Sequence, residues 1–237
     1  MPVAGNQLLQ LLPAKERQRI LGIAKEVQLT QSAVLGEPGS PIRHVYFPLT
    51  GFISLVTSID TKPVLEVGMV GREGMFGAQA ALRVLIQPLH ALVQGSGSAL
   101  QVPINAFLRA LGRSPLLQNL LDRYVYVLMT QLASSAACTR FHEIDARLSR
   151  WLLMTQDRAQ SESFSVTHLY LSYMLGVRRV GITIAAGALQ KAGLIEYHRG
   201  QVTVVDRKGL ERAACSCYGD DTKVYARIMR VGSQHRL

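Results

Sequence analysis

The side chains best suited to chemistry are Arg178 and Arg179, which open a predicted helix near the C-terminus. Positive charge at a helix N-terminus opposes the helix dipole, so these arginines gain nothing from the helix itself. Guanidinium groups do bind phosphate oxygens and guanine edges. The pair therefore predicts contact with nucleic acid, whereas a solvated surface charge is the alternative for Arg178.

The elements around the arginine pair predict a winged helix-turn-helix. Thr167 is a plausible N-cap for a first helix with apolar positions at Leu169, Leu171, Met174 and Leu175. Gly176 suits the turn, and the second helix repeats apolar residues at helical spacing: Ile182, Ala185, Ala186 and Leu189. Two β-rich runs follow, Ile195–His198 and Gln201–Val205, joined by Arg199 and Gly200. This order lays the second helix in a DNA major groove.

The first half of the chain has a different sequence pattern, rich in β-forming residues. Residues 8–29 read as helical, with a proline at the start of the segment PAKERQRILGIAKEV. From about Val27 to Ala106, the β-rich runs HVYFPL, GFISLVTSI, PVLEVGMV, HALVQG and SALQVP alternate with turn-forming clusters. Their spacing predicts a compact antiparallel barrel or double sheet.

Predicted helices connect the two halves. Pro103–Leu111 reads as a short helix, Pro115–Cys138 as a long one, and Ile144–Thr155 as the start of the last domain. The long helix has an apolar stripe near heptad spacing: Leu117, Leu120, Leu121, Tyr124, Leu128 and Leu132. The stripe can pack on its own barrel, pair with a second subunit, or do both.

Composition supports an acidic partner and limits the classes of protein. Across 237 residues, 26 basic side chains face 16 acidic ones, giving a formal net charge of +10. Neither a secretory signal nor an apolar run of membrane-spanning length is evident, which predicts a cytoplasmic protein without membrane contact. No triad, paired-carboxylate or phosphate-loop pattern is present, so we expect no enzyme activity.

The cysteines are few. Cys215 and Cys217 form a Cys-x-Cys motif, and Cys138 lies far away along the chain. A zinc or iron–sulfur site usually needs four ligands in paired sets, so we expect ordinary thiols and neither metal nor cofactor. Oxidation of Cys215 and Cys217 is the alternative role.

The order of barrel, long helix and winged helix resembles the cyclic-AMP receptor/fumarate–nitrate regulator (Crp/Fnr) superfamily of transcription factors. The segments that carry the resemblance are HVYFPLTGFISLV, VGREGMFGAQAAL, HEIDARLSRWLL and LYLSYMLGVRRVGITIAAGALQKAGLI. It implies an α+β fold: a cyclic-nucleotide-binding-like β-barrel (double-stranded β-helix or jelly roll), a dimerisation helix and a winged helix-turn-helix. We expect these domains at residues 1–114, 115–140 and 141–237.

The resemblance also implies an effector site and indicates that it is degenerate. The family holds a cyclic phosphate with a Gly-Glu and a later Arg-Ser or Arg-Thr pair. Here the later pair falls at Leu89 and His90, so a cyclic phosphate would lose a charge-assisted bond. Candidate effector residues are Gly71, Arg72, Glu73, Arg83 and His90. Control by cyclic AMP is disfavoured, no N-terminal cysteine set is present for an iron–sulfur sensor, and the effector is unknown or absent.

The family's DNA contacts carry over only in part. Arg179 matches a base-reading arginine, but Val180 and Ile184 stand where the family has Glu and a second Arg. Readout then shifts to Val180 on thymine methyl groups and to Thr183. Thr167 and His168 match phosphate contacts of the first helix, and His198 or Arg199 could add contacts from the wing.

Taken with the residues, the resemblance predicts a homodimeric, sequence-specific regulator that binds a near-palindromic site on double-stranded DNA. RNA polymerase is a candidate partner. The alternatives are a cyclic-nucleotide-responsive regulator and an interaction module of the same fold that does not bind DNA.

Overall fold

The computed structural model describes residues 5–58 and 64–230. The chain divides into two compact units. Unit 1 comprises Met1–Leu55, Met69–Thr130 and Lys223–Leu237, and unit 2 comprises Val56–Gly68 and Gln131–Thr222. The strands are β1 (Lys25–Leu29), β2 (Val34–Gly36), β3 (His44–Pro48), β4 (Phe52–Thr57), β5 (Leu65–Val70), β6 (His90–Gly95), β7 (Gly97–Pro103), β8 (Ser163–Ser165), β9 (Ile195–His198) and β10 (Gln201–Val204).

Helices make up the rest of the regular structure. They are α1 (Gln7–Gln10), α2 (Ala14–Leu21), α3 (Ile104–Gly112), α4 (Pro115–Phe141), α5 (Ile144–Ala159), α6 (His168–Leu175), α7 (Arg179–Lys191), α8 (Arg207–Ala213) and α9 (Ser216–Arg230), with a short 3-10 helix at Ala78–Leu82. Within the described residues, no helix is both long enough and apolar enough to cross a lipid bilayer.

The predicted double sheet of the N-terminal half is confirmed. One sheet has the order β1-β7-β3 and the other the order β2-β6-β4-β5. Both sheets send side chains into one apolar cluster, in which Leu29 and Ala99 from the first sheet meet Ile53 and Val93 from the second. Each of the five β-rich runs contains a strand, because its alternating apolar residues can fill the space between two sheets. Ile59 of GFISLVTSI and Pro63 of PVLEVGMV lie outside the described residues.

The prediction that residues 8–29 are helical is confirmed as far as Leu21 and is wrong for Lys25–Leu29. The segment forms the short helices α1 and α2, and its last five residues are β1, which pairs antiparallel with β7. Pro13 lacks an N–H and disfavours helical backbone at the residue before it, which separates the two helices. Gly22 ends α2, and the β1 segment gains more from ladder hydrogen bonds and from burying Leu29 than from one more helical turn.

The long helix is confirmed, and it extends to Phe141. Most of its predicted stripe lies in the core of unit 1: Leu117, Leu120, Leu121 and Tyr124 pack with Phe107 of α3 and with Val45 and Phe47 of β3. The stripe runs out toward the C-terminal end of the helix, where Leu132 is 39% exposed. The N-terminal part of the stripe therefore packs on its own domain.

Unit 2 contains the predicted helices and hairpin. In α6, Leu171, Met174 and Leu175 are buried, but Leu169 is exposed because it lies on the opposite side of the helix from Leu171. The hairpin of β9 and β10 gains a third strand, β8, which pairs with β10. The structure also has the strand β8 and the helices α8 and α9, which the sequence pattern does not predict.

Candidate nucleic-acid interface

The turn between α6 and α7 is held by three local features. The hydroxyl of Thr167 accepts a hydrogen bond from the backbone N–H of Tyr170, as expected for an N-cap. Gly176 ends α6 in the left-handed region with φ of 62°, a conformation that favours glycine. The buried guanidinium of Arg147 on α5 donates to the carbonyl of Leu175, which satisfies a helix-end acceptor. Together these contacts fix the angle at which α7 leaves the turn.

Helix α7 has one buried face and one exposed face. Ile182, Ala185, Ala186 and Leu189 are buried, as their spacing predicted. Arg178 is the N-cap residue and Arg179 the first helical residue, and both side chains are exposed. Val180 is 67% exposed and Ile184 is 68% exposed, next to the exposed Thr183. The N-terminal half of α7 thus presents guanidinium, hydroxyl and methyl groups on one surface.

His168 and Thr183 bind each other across the two helices. The Thr183 hydroxyl donates to the carbonyl of Arg179, so it can only accept from Nδ1 of His168, 3.0 Å away. The ring also lies against Tyr197, with centroids 4.5 Å apart. Nε2 of the same ring is buried and has no hydrogen-bond partner among the residues that the structure describes. The contact therefore requires a ring with a proton on Nδ1.

The surroundings of His168 favour its neutral form. Burial, and then the positive charge of Arg179, lower the pKa of this imidazole below its ordinary value. The phosphate contact predicted for His168 would need Nε2 to become accessible. In this arrangement the residue instead joins α6, α7 and β9, and so positions the face of α7 that carries Arg179.

The wing is a two-residue hairpin. Arg199 and Gly200 both have positive φ, 48° and 82°, which is the pattern of a type I′ turn. The Tyr197 hydroxyl donates to the carbonyl of Val166, and the Gln190 side chain accepts from the Tyr197 backbone N–H. His198 and Arg199 are exposed at the tip. The hairpin is therefore anchored to α7 and to the start of α6, with one strongly basic side chain at its end.

The predicted effector residues all lie in unit 1, some in one turn and the others elsewhere. Gly71 and Glu73 come together in one turn, where the Glu73 carboxylate accepts from the Gly71 backbone N–H at 3.1 Å. The Tyr225 hydroxyl donates to the Glu73 carbonyl, and a Cβ on Gly74 would lie 1.9 Å from the Tyr124 hydroxyl. Aromatic side chains of unit 1 thus cover this turn, leaving little room for a ligand over it.

Arg72 lies in the same turn, whereas the two remaining predicted effector residues lie outside it. Arg83 ends the short 3-10 helix with a positive φ of 62° and is exposed. His90 begins β6 and is half-buried. An open cleft of unit 1 has a different lining, which includes Arg43, Tyr46 and Gln87. None of the five predicted residues lines that cleft.

Unit 2 contains a cluster of four metal-ligand side chains that was not predicted from the sequence. Cys138, His142, Cys215 and Cys217 each offer one ligand atom, and these atoms all lie within 4.8 Å of one another. The Cys138 and Cys215 sulfurs are 3.5 Å apart. That contact lowers the pKa of the Cys138 thiol and raises the pKa of the Cys215 thiol, because the two sulfurs share a proton. The Cys-x₃-His spacing, one helical turn, was the available signal.

The chain is similar to a known domain family and to solved structures. A family of Crp-like helix-turn-helix domains matches residues 146–213. No curated protein sequence is significantly similar to the chain. The solved structure of FixK2 from Bradyrhizobium japonicum has 15% sequence identity and a TM-score of 0.69, over 81% of this chain and 98% of that chain.

Two further structures agree with this match. The c-di-GMP-responsive global regulator CLP of Xanthomonas campestris has 15% identity and a TM-score of 0.66, over 81% of this chain and 99% of that one. A CRP/FNR-family transcriptional regulator from Thermus thermophilus has 20% identity and a TM-score of 0.64, over 80% of this chain and 98% of that one. Residues 146–213 are thus a Crp-like helix-turn-helix domain, in a chain that has the fold of Crp/Fnr-family transcription regulators.

Proposed function

We propose that the protein is a homodimeric transcription regulator that binds a near-palindromic DNA site through α7, without control by cyclic AMP. Residues 1–114 form the sensing domain, 115–140 the dimerisation helix and 141–237 the DNA-binding domain. The protein acts in the cytoplasm as a binding protein, not an enzyme, with RNA polymerase as a candidate second partner.

The main support for DNA binding is the composition of the exposed face of α7. Arg179, Val180, Thr183 and Ile184 occupy its N-terminal half. A partner for this face must accept hydrogen bonds from a guanidinium and also offer apolar groups. The major groove does both, because guanine presents two acceptors and thymine presents a methyl group. Thr167, Arg178, His198 and Arg199 flank that face as candidate phosphate contacts.

A second face of the molecule supports the homodimer. On α4, the side chains of Tyr126, Met129, Ala133 and Ala136 recur at helical spacing and are exposed. We call these four residues the dimer stripe. It is distinct from the buried stripe that the sequence predicted. A second copy of the same helix is the occupant that symmetry favours, since an isologous contact places each residue near its own counterpart.

The cyclic-AMP alternative is disfavoured by the predicted phosphate site. No arginine stands at Leu89 or His90, and Tyr124 and Tyr225 cover the turn at Gly71–Gly74. The similarity to a c-di-GMP-responsive regulator keeps another nucleotide as a candidate effector. We expect cyclic AMP to leave DNA affinity unchanged. A clear rise in affinity on its addition would support the cyclic-nucleotide-responsive alternative.

The test compares two variants that each remove one positive charge from α7. Arg179→Ala should weaken binding to the protein's own upstream DNA by roughly 5- to 150-fold and reduce the preference over random DNA. Lys191→Ala, at the C-terminal end of the same helix, should have a small effect because only the N-terminal half enters the groove. Equal losses in both variants would indicate non-specific charge attraction. No binding in either variant or in the wild type would favour the interaction module.

A further inference from the structure

We propose that Cys138, His142, Cys215 and Cys217 form a tetrahedral zinc site within unit 2. Each residue comes from a place where the backbone is already fixed. Cys138 lies in the last turn of α4, and His142 follows that helix by one residue. Cys215 immediately precedes α9, and Cys217 lies in its first turn. The site therefore joins two pairs of ligands that are more than 70 residues apart in the sequence.

The distances between ligand atoms fit a single metal ion. With Zn–S near 2.3 Å and Zn–N near 2.0–2.1 Å, a tetrahedral site has S–S edges of about 3.8 Å and S–N edges of about 3.6 Å. The Cys138 and Cys215 sulfurs are 3.5 Å apart, and Cys217 Sγ lies 3.6 Å from Nδ1 of His142. The longest separation in the cluster is no more than 4.8 Å. Shifts of about 1 Å or less would complete the tetrahedron around an ion.

The donor set selects zinc from the common metals. Three thiolates and one imidazole form one of the usual structural zinc sets, whereas calcium and magnesium require oxygen ligands. The ligands of an iron–sulfur cluster must surround several iron and sulfide atoms, so they stand farther apart than the ligands of one ion. Four protein ligands leave no position for water, which makes the site structural rather than catalytic.

The surrounding contacts hold the four side chains in place before metal binds. The backbone N–H of His142 donates to the Cys138 carbonyl at 3.2 Å, which keeps the two ligands one helical turn apart. The Arg150 guanidinium donates to Asp221 at 2.8 Å and so docks α9 on α5. Cys215 and Cys217 lie at the N-terminus of the 15-residue helix α9, where the helix dipole stabilises thiolate.

A second group of contacts also holds α9 against α5. Arg207 on α8 pairs with Asp157 on α5 at 2.7 Å and donates to the Tyr218 hydroxyl at 2.7 Å. Tyr218 in turn donates to Asp157 at 2.9 Å. Tyr218 is the residue after Cys217, so this group of contacts fixes the first turn of α9 beside α5. The ligands are thereby positioned by charge pairs that do not themselves need the metal.

Zinc binding is a proton-releasing step. The ion bonds to three sulfurs and one nitrogen, and each thiol gives its proton to solvent. The completed centre carries one negative charge, which Arg150 is close enough to attract, since it exerts a favourable charge interaction on Cys138. The result is a cross-link between the end of α4 and the start of α9. The site does not depend on the proposed DNA binding, so the two can be tested separately.

The experiment measures metal on the full chain, purified without a histidine tag and kept reduced. After reconstitution and dialysis, we expect one zinc ion per chain and a dissociation constant of about 10 nM or tighter. The cobalt form should show the intense visible bands of tetrahedral Co²⁺ together with thiolate-to-metal charge transfer. Wild-type protein that retains no zinc, gives an octahedral cobalt spectrum, or carries iron with acid-labile sulfide overturns the proposal.

Variants assign the ligands. Cys217→Ser and His142→Gln should each weaken zinc binding more than about 100-fold, whereas His44→Gln, a histidine of unit 1, should bind zinc like the wild type. Equal zinc content in all three variants contradicts the assignment. If Cys217→Ser does not fold, wild-type thiol reactivity decides the question. Zinc should slow the reaction of the thiols with an aromatic disulfide, and an unchanged rate would count against the site.

Discussion

At the scale of single residues, the interface depends on side chains that face inward as well as on those that face DNA. Arg147 satisfies the end of α6, and His168 ties Thr183 to the turn and to Tyr197 of the wing. Both contacts set the position of α7 relative to α6. We therefore regard His168 as a positioning residue for Arg179, rather than as a phosphate contact.

This role of His168 predicts a pH dependence of stability. The folded state lowers the pKa of this imidazole, so below its ordinary value of about 6.5 the unfolded chain binds more protons than the folded one. The free energy of unfolding should therefore fall as the pH drops from about 7 toward about 5.5. His168→Asn keeps a donor near Thr183 but cannot titrate, so its loss over the same range should be smaller.

Urea unfolding of both proteins at a series of pH values measures this difference. Parallel pH profiles for the wild type and His168→Asn would show that the ring does not titrate as described. A smaller slope in the variant, with similar stability at neutral pH, would support the positioning role.

Several single-residue roles could be predicted from sequence, because they depend on local backbone geometry. Thr167 caps α6, and Gly176 adopts the left-handed conformation its position required. The metal-ligand cluster could not be predicted in this way. Cys138 and His142 are one turn apart, but nothing local shows that the chain returns to them at Cys215 and Cys217. That proximity is created by the docking of α9 on α5.

At the scale of elements, the wing offers a test that separates stability from DNA binding. Arg199 has a φ of 48°, which is costly for most side chains but is tolerated by asparagine. We expect Arg199→Asn to raise the free energy of unfolding by about 0.5 kcal/mol. If the charge contacts phosphate, the same variant should bind DNA more weakly, with a salt dependence shallower by about one unit of log–log slope.

Denaturant titration and DNA binding across a salt series check the two halves of this prediction. Arg199→Gln, which removes the charge without suiting the turn, is the matched control. It should lose DNA affinity like Arg199→Asn but gain no stability. If the salt dependence of DNA binding is unchanged in both variants, Arg199 of the wing does not contact DNA phosphate.

Element prediction succeeded where one period dominates a segment. The five β-rich runs, the helix α3 and the long helix α4 all follow from their apolar spacing. The helix prediction failed for β1 because Leu29 and its neighbours satisfy a helical pattern almost as well as a strand pattern. Only the pairing with β7 decides between the two structures. The strand β8 is three residues long, too short to show a period, and it forms because β10 offers it an edge.

At the scale of the whole molecule, the dimer stripe should control assembly. Met129 is 63% exposed at its centre, so Met129→Glu should place two like charges in a symmetric contact. Sedimentation should then give the mass of one 26.0 kDa chain instead of two. Leu116→Glu, 55% exposed and about 140° away around the same helix, should remain dimeric.

Thermal unfolding and helix content would show that both α4 variants are folded. A dimeric Met129→Glu protein would contradict the assignment of the stripe. A monomeric Met129→Glu protein should also lose affinity for a two-half-site DNA while keeping weak binding to a half-site.

In the proposed homodimer, two copies of α7 read successive major grooves of one DNA site. Selection of bound sequences from a random DNA pool, with purified protein and no added nucleotide, tests this arrangement. We expect an enriched inverted repeat whose half-site centres lie about 10 base pairs apart, and we expect Arg179→Ala to lose this enrichment. A pool without any enriched sequence after repeated selection would contradict sequence-specific binding of DNA by α7.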